Sequence, residues 1–266
     1  MVARLPARRP ALFHMVGPTC HHVGMGSVRS GVGALDRALA VLEAVEGGAR
    51  SFTEVVAATG LPRSTVHRLL RALAAHGYVS LEGGFGYRLG PRLLRMAATA
   101  RREAPLRDLA HPALERLAAA TGESAQLYVR SGATRVCVDA VESEQELRTI
   151  VPVGAALPLH AGSAAKVFLA FEPDPVPYLR RARDPERFAR EVELARSRGW
   201  AASVGERQEG VGSVSAPVRG QDGRLVAVVS VSGPAARMGR GGGRRYAPAV
   251  LEAAAEIEAA LAPRDG

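Results

Sequence analysis

Between Ala34 and Val45, apolar side chains recur at Leu35, Ala38, Leu39, Leu42 and Val45. Steps of three and four lay them along one side of a helix. Gly47 and Gly48 close that helix. Ser51 and Glu54 form an S-x-x-E pattern, in which each side chain caps the other's backbone N–H. A short second helix therefore opens there and stops at Gly60. Pro62 falls where a first helical turn tolerates a residue without an N–H, and a third helix follows to about His76. Within it Val66, Leu69, Leu70 and Leu73 share a narrow face, while Ser64, His67, Arg68 and Arg71 share the opposite one. The period then changes from helical to alternating. Tyr78 to Leu81 reads as a strand, Glu82-Gly83-Gly84 as a tight turn, and Phe85 to Leu89 as the return strand.

Helix, turn, basic helix and Gly-rich hairpin make a winged helix-turn-helix, a unit that reads duplex DNA. Residues 27–90 are assigned to it, after a disordered leader or miscalled start over 1–26. Pro91 opens a linker helix to residue 104, whose Leu93, Leu94, Ala97 and Ala98 suit packing against a second copy. Residues 105–266 then alternate strands and helices. A helix from about Leu106 to Thr121 carries Pro112, where a kink is expected. Residues 124–132 and 134–143 form a hairpin, 146–154 a third strand, and 158–171 a glycine turn into an apolar helix. A charged helix spans Pro185 to Gly199. Residues 210–220 and 223–234 are two further strands joined at Gln221-Asp222-Gly223. A mobile loop over 239–245 and a helix from about Tyr246 to Leu261 complete the chain. The fold class is α+β, an antiparallel sheet with helices on one or both faces.

Charge sharpens this division. The 266 residues carry a net +9, but residues 1–104 hold 14 Arg against 6 acidic residues, while 105–266 hold 21 basic against 20 acidic. The excess sits on the DNA-reading half, as phosphate contact requires. The candidate contacts are Arg63, Ser64, Thr65, His67, Arg68 and Arg71 on the third helix and Arg88 on the wing. Arginine grips guanine O6 and N7 with two bonds; serine, threonine and histidine reach phosphates or base edges. A merely solvated helix face is the bland alternative, and the preceding turn, the wing and the local charge weigh against it. No apolar run approaches the roughly 18 residues of a membrane span. Cys20 and Cys137 give no disulfide framework, which fits a reducing cytoplasm.

Three segments carry a resemblance: GLPRSTVHRLLRALAAHGYV, VGAALPLHAGSAAKVFLA and RGWAASVGERQEGVGSVSAPVRGQDGRLVAVVSVSGPAARM. Over about residues 31 to 262 the chain resembles the IclR family of transcriptional regulators, and TGESAQLYVRSG resembles actinobacterial members that govern amino-acid metabolism. The resemblance implies a winged-helix domain, a linker helix and a GAF-like effector domain. It also implies assembly as homodimers or dimers of dimers, and effectors that are small organic acids. Both repressors and activators occur; a repressor is the expected sign here. Carried over by position, the effector-binding candidates are Gly162, Ser163, Glu206, Ser213, Ser215, Ser230 and Ser232. Gly162 and Ser163 would offer backbone N–H groups to a carboxylate at a helix N-terminus. Ala165 stands where the family often has glycine.

Other chemistries are not written in the chain. It has no phosphate-binding G-x-x-x-x-G-K-[ST] loop, and Gly210 to Ser215 lacks the final glycine of a nucleophile elbow. Cys20, His21 and His22 have no second ligand cluster, so no metal and no cofactor are expected. His160 reads as a pocket or core histidine, and Cys137 as a buried strand residue. The expected partners are a double-stranded DNA operator and a small organic acid or amino acid. The rival readings are a ligand-blind architectural DNA binder, whose serines pack in the sheet and bond only to backbone, and a small-molecule enzyme.

Overall fold

The computed structural model describes residues 32–82, 86–102, 105–239, 241 and 243–262. They form two compact units that divide between Pro105 and Leu106. The leader, the wing turn over 83–85, residues 103–104, and residues 240 and 242 of the Gly-rich loop lie outside the described residues.

The first unit holds α1 (Gly33–Glu46), α2 (Phe52–Thr59), α3 (Arg63–Ala75), the strands β1 (Val79–Glu82) and β2 (Gly86–Leu89), and α4 (Pro91–Arg102). Local chemistry sets its boundaries. The capping box is complete, with Glu54 N donating to Ser51 Oγ and Ser51 N to the Glu54 carboxylate, at 3.2 and 3.1 Å. Gly60 ends α2 in the left-handed region at φ 64°, where a side chain would be strained. Pro62 caps α3 from outside rather than occupying its first turn. Val41, Val45, Val55, Val66, Leu70 and Val79 form the core. The predicted stripe on α1 is corrected here: Val41 and Val45 are fully buried, while Leu35 and Leu39 remain 49% and 45% exposed. The wing strands pair antiparallel, Ser80 opposite Arg88. Tyr87 N donates to Arg50 O, and a Cβ on Gly86 would run into that carbonyl, so the wing is seated on the loop between α1 and α2.

The second unit is a six-stranded antiparallel sheet in the order β5-β4-β3-β8-β7-β6. Its strands are β3 (Ser124–Ser131), β4 (Thr134–Val141), β5 (Ala156–Pro158), β6 (Ala201–Val204), β7 (Val211–Arg219) and β8 (Leu225–Pro234). Its helices are α5 (Pro105–Thr121), α6 (Ser163–Ala170), α7 (Val176–Leu179), α8 (Pro185–Arg198), α9 (Ala235–Met238) and α10 (Ala247–Leu261). Alternation along the strands sorts the side chains into two cores. Leu127, Val214, Ala216, Val229 and Val231 face α5 and α10, where Leu114, Val250 and Ile257 meet them. Tyr128, Cys137, Leu157 and Val228 face the other way, toward Val167, Phe168 and Leu169 of α6 and Phe188 of α8.

Two expectations change. Residues 146–154 are not a strand. Pro152 has no N–H to give a ladder, and the segment meets β4 irregularly, through Gly154 N to Cys137 O and Cys137 Sγ to Val151 O, with Cys137 N bonding Ala155 O. The third strand is the shorter β5 just beyond. Pro112 lies inside α5 without ending it.

Candidate DNA-reading helix and ligand cavity

On α3 the packed and open faces separate as the spacing requires. Val66 and Leu70 are buried, with Leu69 and Leu73 packed beside them. Arg63, Ser64, His67, Arg68 and Arg71 are exposed, and Thr65 is half-buried. Phe52 of α2 orders the start of this face: the Arg63 guanidinium lies 4.8 Å from its ring centre and the His67 ring meets it edge-on. Among the described residues no carboxylate pairs with Arg63, Arg68 or Arg71. Their positive charge is available to phosphates or base edges. Arg88 is exposed on β2, the return strand of the wing.

In the second unit, register assembles a polar floor. Ser213 stands opposite Ser232, and Ser215 opposite Ser230. The rows extend to Ser203 beside Ser213, Ser124 beside Ser232, and Gln126 beside Ser230. Ser203, Ser124 and Gln126 were missed by sequence reasoning; the same alternation that pairs the other serines could have found them. The hydroxyls bond to one another. Ser163 Oγ lies 2.7 Å from both Ser213 Oγ and Ser215 Oγ, Ser215 Oγ donates to Ser230 Oγ at 2.9 Å, and Ser232 Oγ donates to Gln126 Oε1 at 2.9 Å.

Above this floor lies a small cavity, partly open to solvent. Its polar lining includes Ser163, Ser203, Ser213, Ser230 and Ser232, and its apolar lining Tyr128, Val151 and Leu157. Ser215 sits beneath, fully buried. The N-terminus of α6 forms one wall, with Gly162 as its cap at φ 93°. Gly162 N already donates to Glu206 Oε2 at 3.1 Å, so the expected carboxylate there is the protein's own. Glu206 Oε1 bonds Lys166 Nζ, which also pairs with Glu191 and donates to Ala202 O at 2.8 Å. All three ammonium hydrogens of this fully buried lysine are matched. Burial alone would raise the Glu191 carboxyl; Lys166 and then Arg187 more than offset it and hold it below its ordinary value.

Arg135 is the cavity residue that sequence reasoning missed outright. It is 3% exposed. Nη1 donates to Pro158 O, and the guanidinium faces the Tyr128 ring at 5.6 Å. Nη2 lies 3.0 Å from where a Cβ on Gly162 would sit. Burial lowers its pKa to about 10, so it stays cationic at neutral pH. A signal was present: Arg135 is two residues from Cys137, read as buried, and a period of two puts both on one face. Arg207 is the second cation of the lining and is exposed. Cys137 is fully buried, and burial followed by the nearby Asp139 pushes its thiol up to about 12, far from a reactive thiolate. His160 does not line the cavity; burial, then Arg181 and Arg135, lowers its basicity. Among the described residues no cluster of side chains has the makings of a metal site.

A winged helix with an open cationic face, in one chain with a cavity-bearing α+β unit, is the architecture of a DNA-binding transcriptional regulator. Family models agree on both halves: the IclR helix-turn-helix domain matches residues 34–83, and the bacterial transcriptional regulator IclR C-terminal domain matches residues 98–259. The chain belongs to the IclR family. It is 33% identical to the HTH-type transcriptional regulator BhcR of Paracoccus denitrificans, over 91% of this chain and 92% of that protein. It is 28% identical to the HTH-type transcriptional repressor AllR of Salmonella typhimurium, over 80% and 84%. Among solved structures it is similar to an IclR homologue of Microbacterium hydrocarbonoxydans complexed with 4-hydroxybenzoate, at 25% identity and a TM-score of 0.71, covering 86% of this chain and 98% of that one. No helix among the described residues is long and apolar enough to cross a membrane.

Proposed function

We propose that this protein is a cytoplasmic, ligand-gated repressor. Its α3 enters the major groove of an operator, and a small organic or amino acid bound in the second unit changes its grip. The observation that carries the DNA half is the division of α3 into a buried Val66 and Leu70 face and an open Arg68 and Arg71 face. Arg63, Ser64, Thr65, His67 and Arg88 are assigned supporting contacts to phosphates or bases. The repressor sign follows the name of the related AllR protein.

The effector site is assigned to the cavity over the serine floor. Ser163, Ser213, Ser230 and Ser232 contact the ligand, Ser215 aligns the others from below, and Gly162 and Glu206 shape the wall. A related structure is complexed with a small acid, 4-hydroxybenzoate, which supports a ligand of that kind. The unit of action is a homodimer or a dimer of dimers. Leu94, Ala97 and Ala98, exposed on one side of α4, offer it an apolar surface. Effector binding regulates only if it favours one arrangement of the DNA-binding units over another.

The test is operator binding to DNA upstream of the protein's own gene, at two salt concentrations, with and without a panel of small acids. Salt-sensitive, sequence-specific binding that one acid alters is the expected result. Specific binding that no acid alters would favour the ligand-blind reading, and absence of specific binding would overturn the DNA half.

A further inference from the structure

Four charged side chains of the second unit are buried: Glu123, Arg135, Asp139 and Lys166. Three have partners of opposite charge. Glu123 takes both prongs of the Arg237 guanidinium, Asp139 takes Arg107, and Lys166 takes Glu191 and Glu206. Arg135 has none among the described residues. Its one hydrogen bond goes to a neutral carbonyl, and its buried Nε has no acceptor. A buried charge left unpaired is costly, so a protein that keeps one has a use for it.

This cation lines the cavity, and the lining contains a second arginine, Arg207, but no carboxylate. Glu206, the nearest acidic group on that wall, has both oxygens engaged by Gly162 N and Lys166 Nζ. An anion entering the cavity therefore meets uncompensated positive charge, while an ammonium group meets two guanidinium groups and no free acid. On the floor, Ser213 Oγ stands at the end of the hydroxyl row, 2.7 Å from Ser163 Oγ.

We propose that Arg135 anchors the effector's carboxylate, so that a small acid is held in preference to its amide and to the matching amino acid. This rests on the effector reading above and narrows it. The guanidinium fork suits a carboxylate bidentately. Arg207, exposed, draws the anion in without being buried by it.

Matched compounds test this on the full-length protein. Thermal unfolding is followed with lactate, lactamide and alanine, which share a skeleton and differ in charge, and with pyruvate, 4-hydroxybenzoate and 4-hydroxybenzamide. A ligand that binds only the folded state raises the melting temperature in proportion to its affinity. At least one acid is expected to stabilise the wild type, with its amide or amino-acid counterpart weaker by about thirtyfold or more, as for loss of a buried charge pair. Arg135→Gln should lose the acid response to the same extent, and Arg135→Lys, which keeps the charge but not the fork, should recover part of it. Should Arg135→Gln fail to fold, the wild-type comparison and Arg135→Lys still decide. Alanine binding as tightly as lactate, or Arg135→Gln binding an acid as the wild type does, overturns the proposal and leaves the effector reading standing. No response to any compound overturns both.

Discussion

Arg71 and Arg135 are both arginines with no carboxylate partner among the described residues, and they carry different information. Arg71 stands in water on α3, where an unpaired guanidinium is already solvated and costs nothing to keep. Its lack of a partner leaves it ready for DNA, but many surface arginines look the same, and only the helix-turn-helix around it gives it meaning. Arg135 lies in the second unit where water is largely excluded. There the same lack of a partner is itself informative, because the fold has accepted a desolvation cost without an ion pair to offset it. Lys166 completes the comparison as a cation equally buried but fully matched. Exposure decides whether an unpaired charge is background or signal.

The largest expected effect separates the two buried cations. Lys166→Ala strands Glu191 and Glu206 and should destabilise the protein by about 3 kcal/mol, the low end for a broken buried pair because those side chains keep 24% and 22% exposure. Chemical denaturation measures it. The same pairs give an acid limb. The lowered Glu191 carboxyl contributes stability that is complete above its ordinary value of 4.5 and lost as pH falls through the lower folded value, so Lys166→Ala should flatten the curve in that window. An unchanged acid limb would mean that the pairs contribute nothing.

Next, Arg68→Ala and Arg71→Ala should each weaken operator binding by about 1–3 kcal/mol if a base contact is lost, with the melting temperature unmoved. Titration of labelled operator reads this directly; full affinity in both variants removes α3 as the reading element. Smaller again, Arg135→Met should raise the stability of the unliganded protein by about 1 kcal/mol, since an apolar side chain replaces an unmatched charge. A loss of stability similar to that of Lys166→Ala would break the comparison, because Arg135 would then be structurally matched after all. Last, Ser51→Ala should cost about 0.5–1 kcal/mol by opening the capping box, a change visible in the unfolding of the first unit.

The sequence made some of this legible because local rules and tertiary packing agree. Ser51, Glu54 and Gly60 bound α2 by backbone chemistry alone, and the two faces of α3 follow from its angular spacing. The four serines of β7 and β8 were legible as two same-face pairs, while their mutual register depends on how the Gln221-Asp222-Gly223 hairpin closes. Arg135 was hidden because an arginine in an alternating strand reads as the solvent face; only sheet pairing and the helices above it make that face interior. Lys166 was hidden for a similar reason, although a lone lysine among Ala164, Ala165, Val167 and Phe168 is the mark of a helix buried all round. The failed strand over 146–154 shows the reverse error, in which β-branched composition outweighed the missing N–H of Pro152. The short elements β6, α7 and α9 carry too few residues to show a period.

The sheet's outer layer has a consequence for how the chain is made. α5 opens the second unit and α10 closes it, and both lie on one face, where Arg116 of α5 pairs with Glu256 of α10 at 2.6 Å. A ribosome delivers the whole DNA-reading unit early, while the sheet keeps half of one face bare until residues 247–261 have emerged. A nascent chain stalled, or a gene truncated, before that helix would carry a finished winged helix joined to a sheet whose Val214, Ala216 and Val218 have lost their cover. Such a product is prone to aggregation, so premature stop codons near the end of the gene should remove the regulator from the cell rather than leave a DNA binder deaf to its signal.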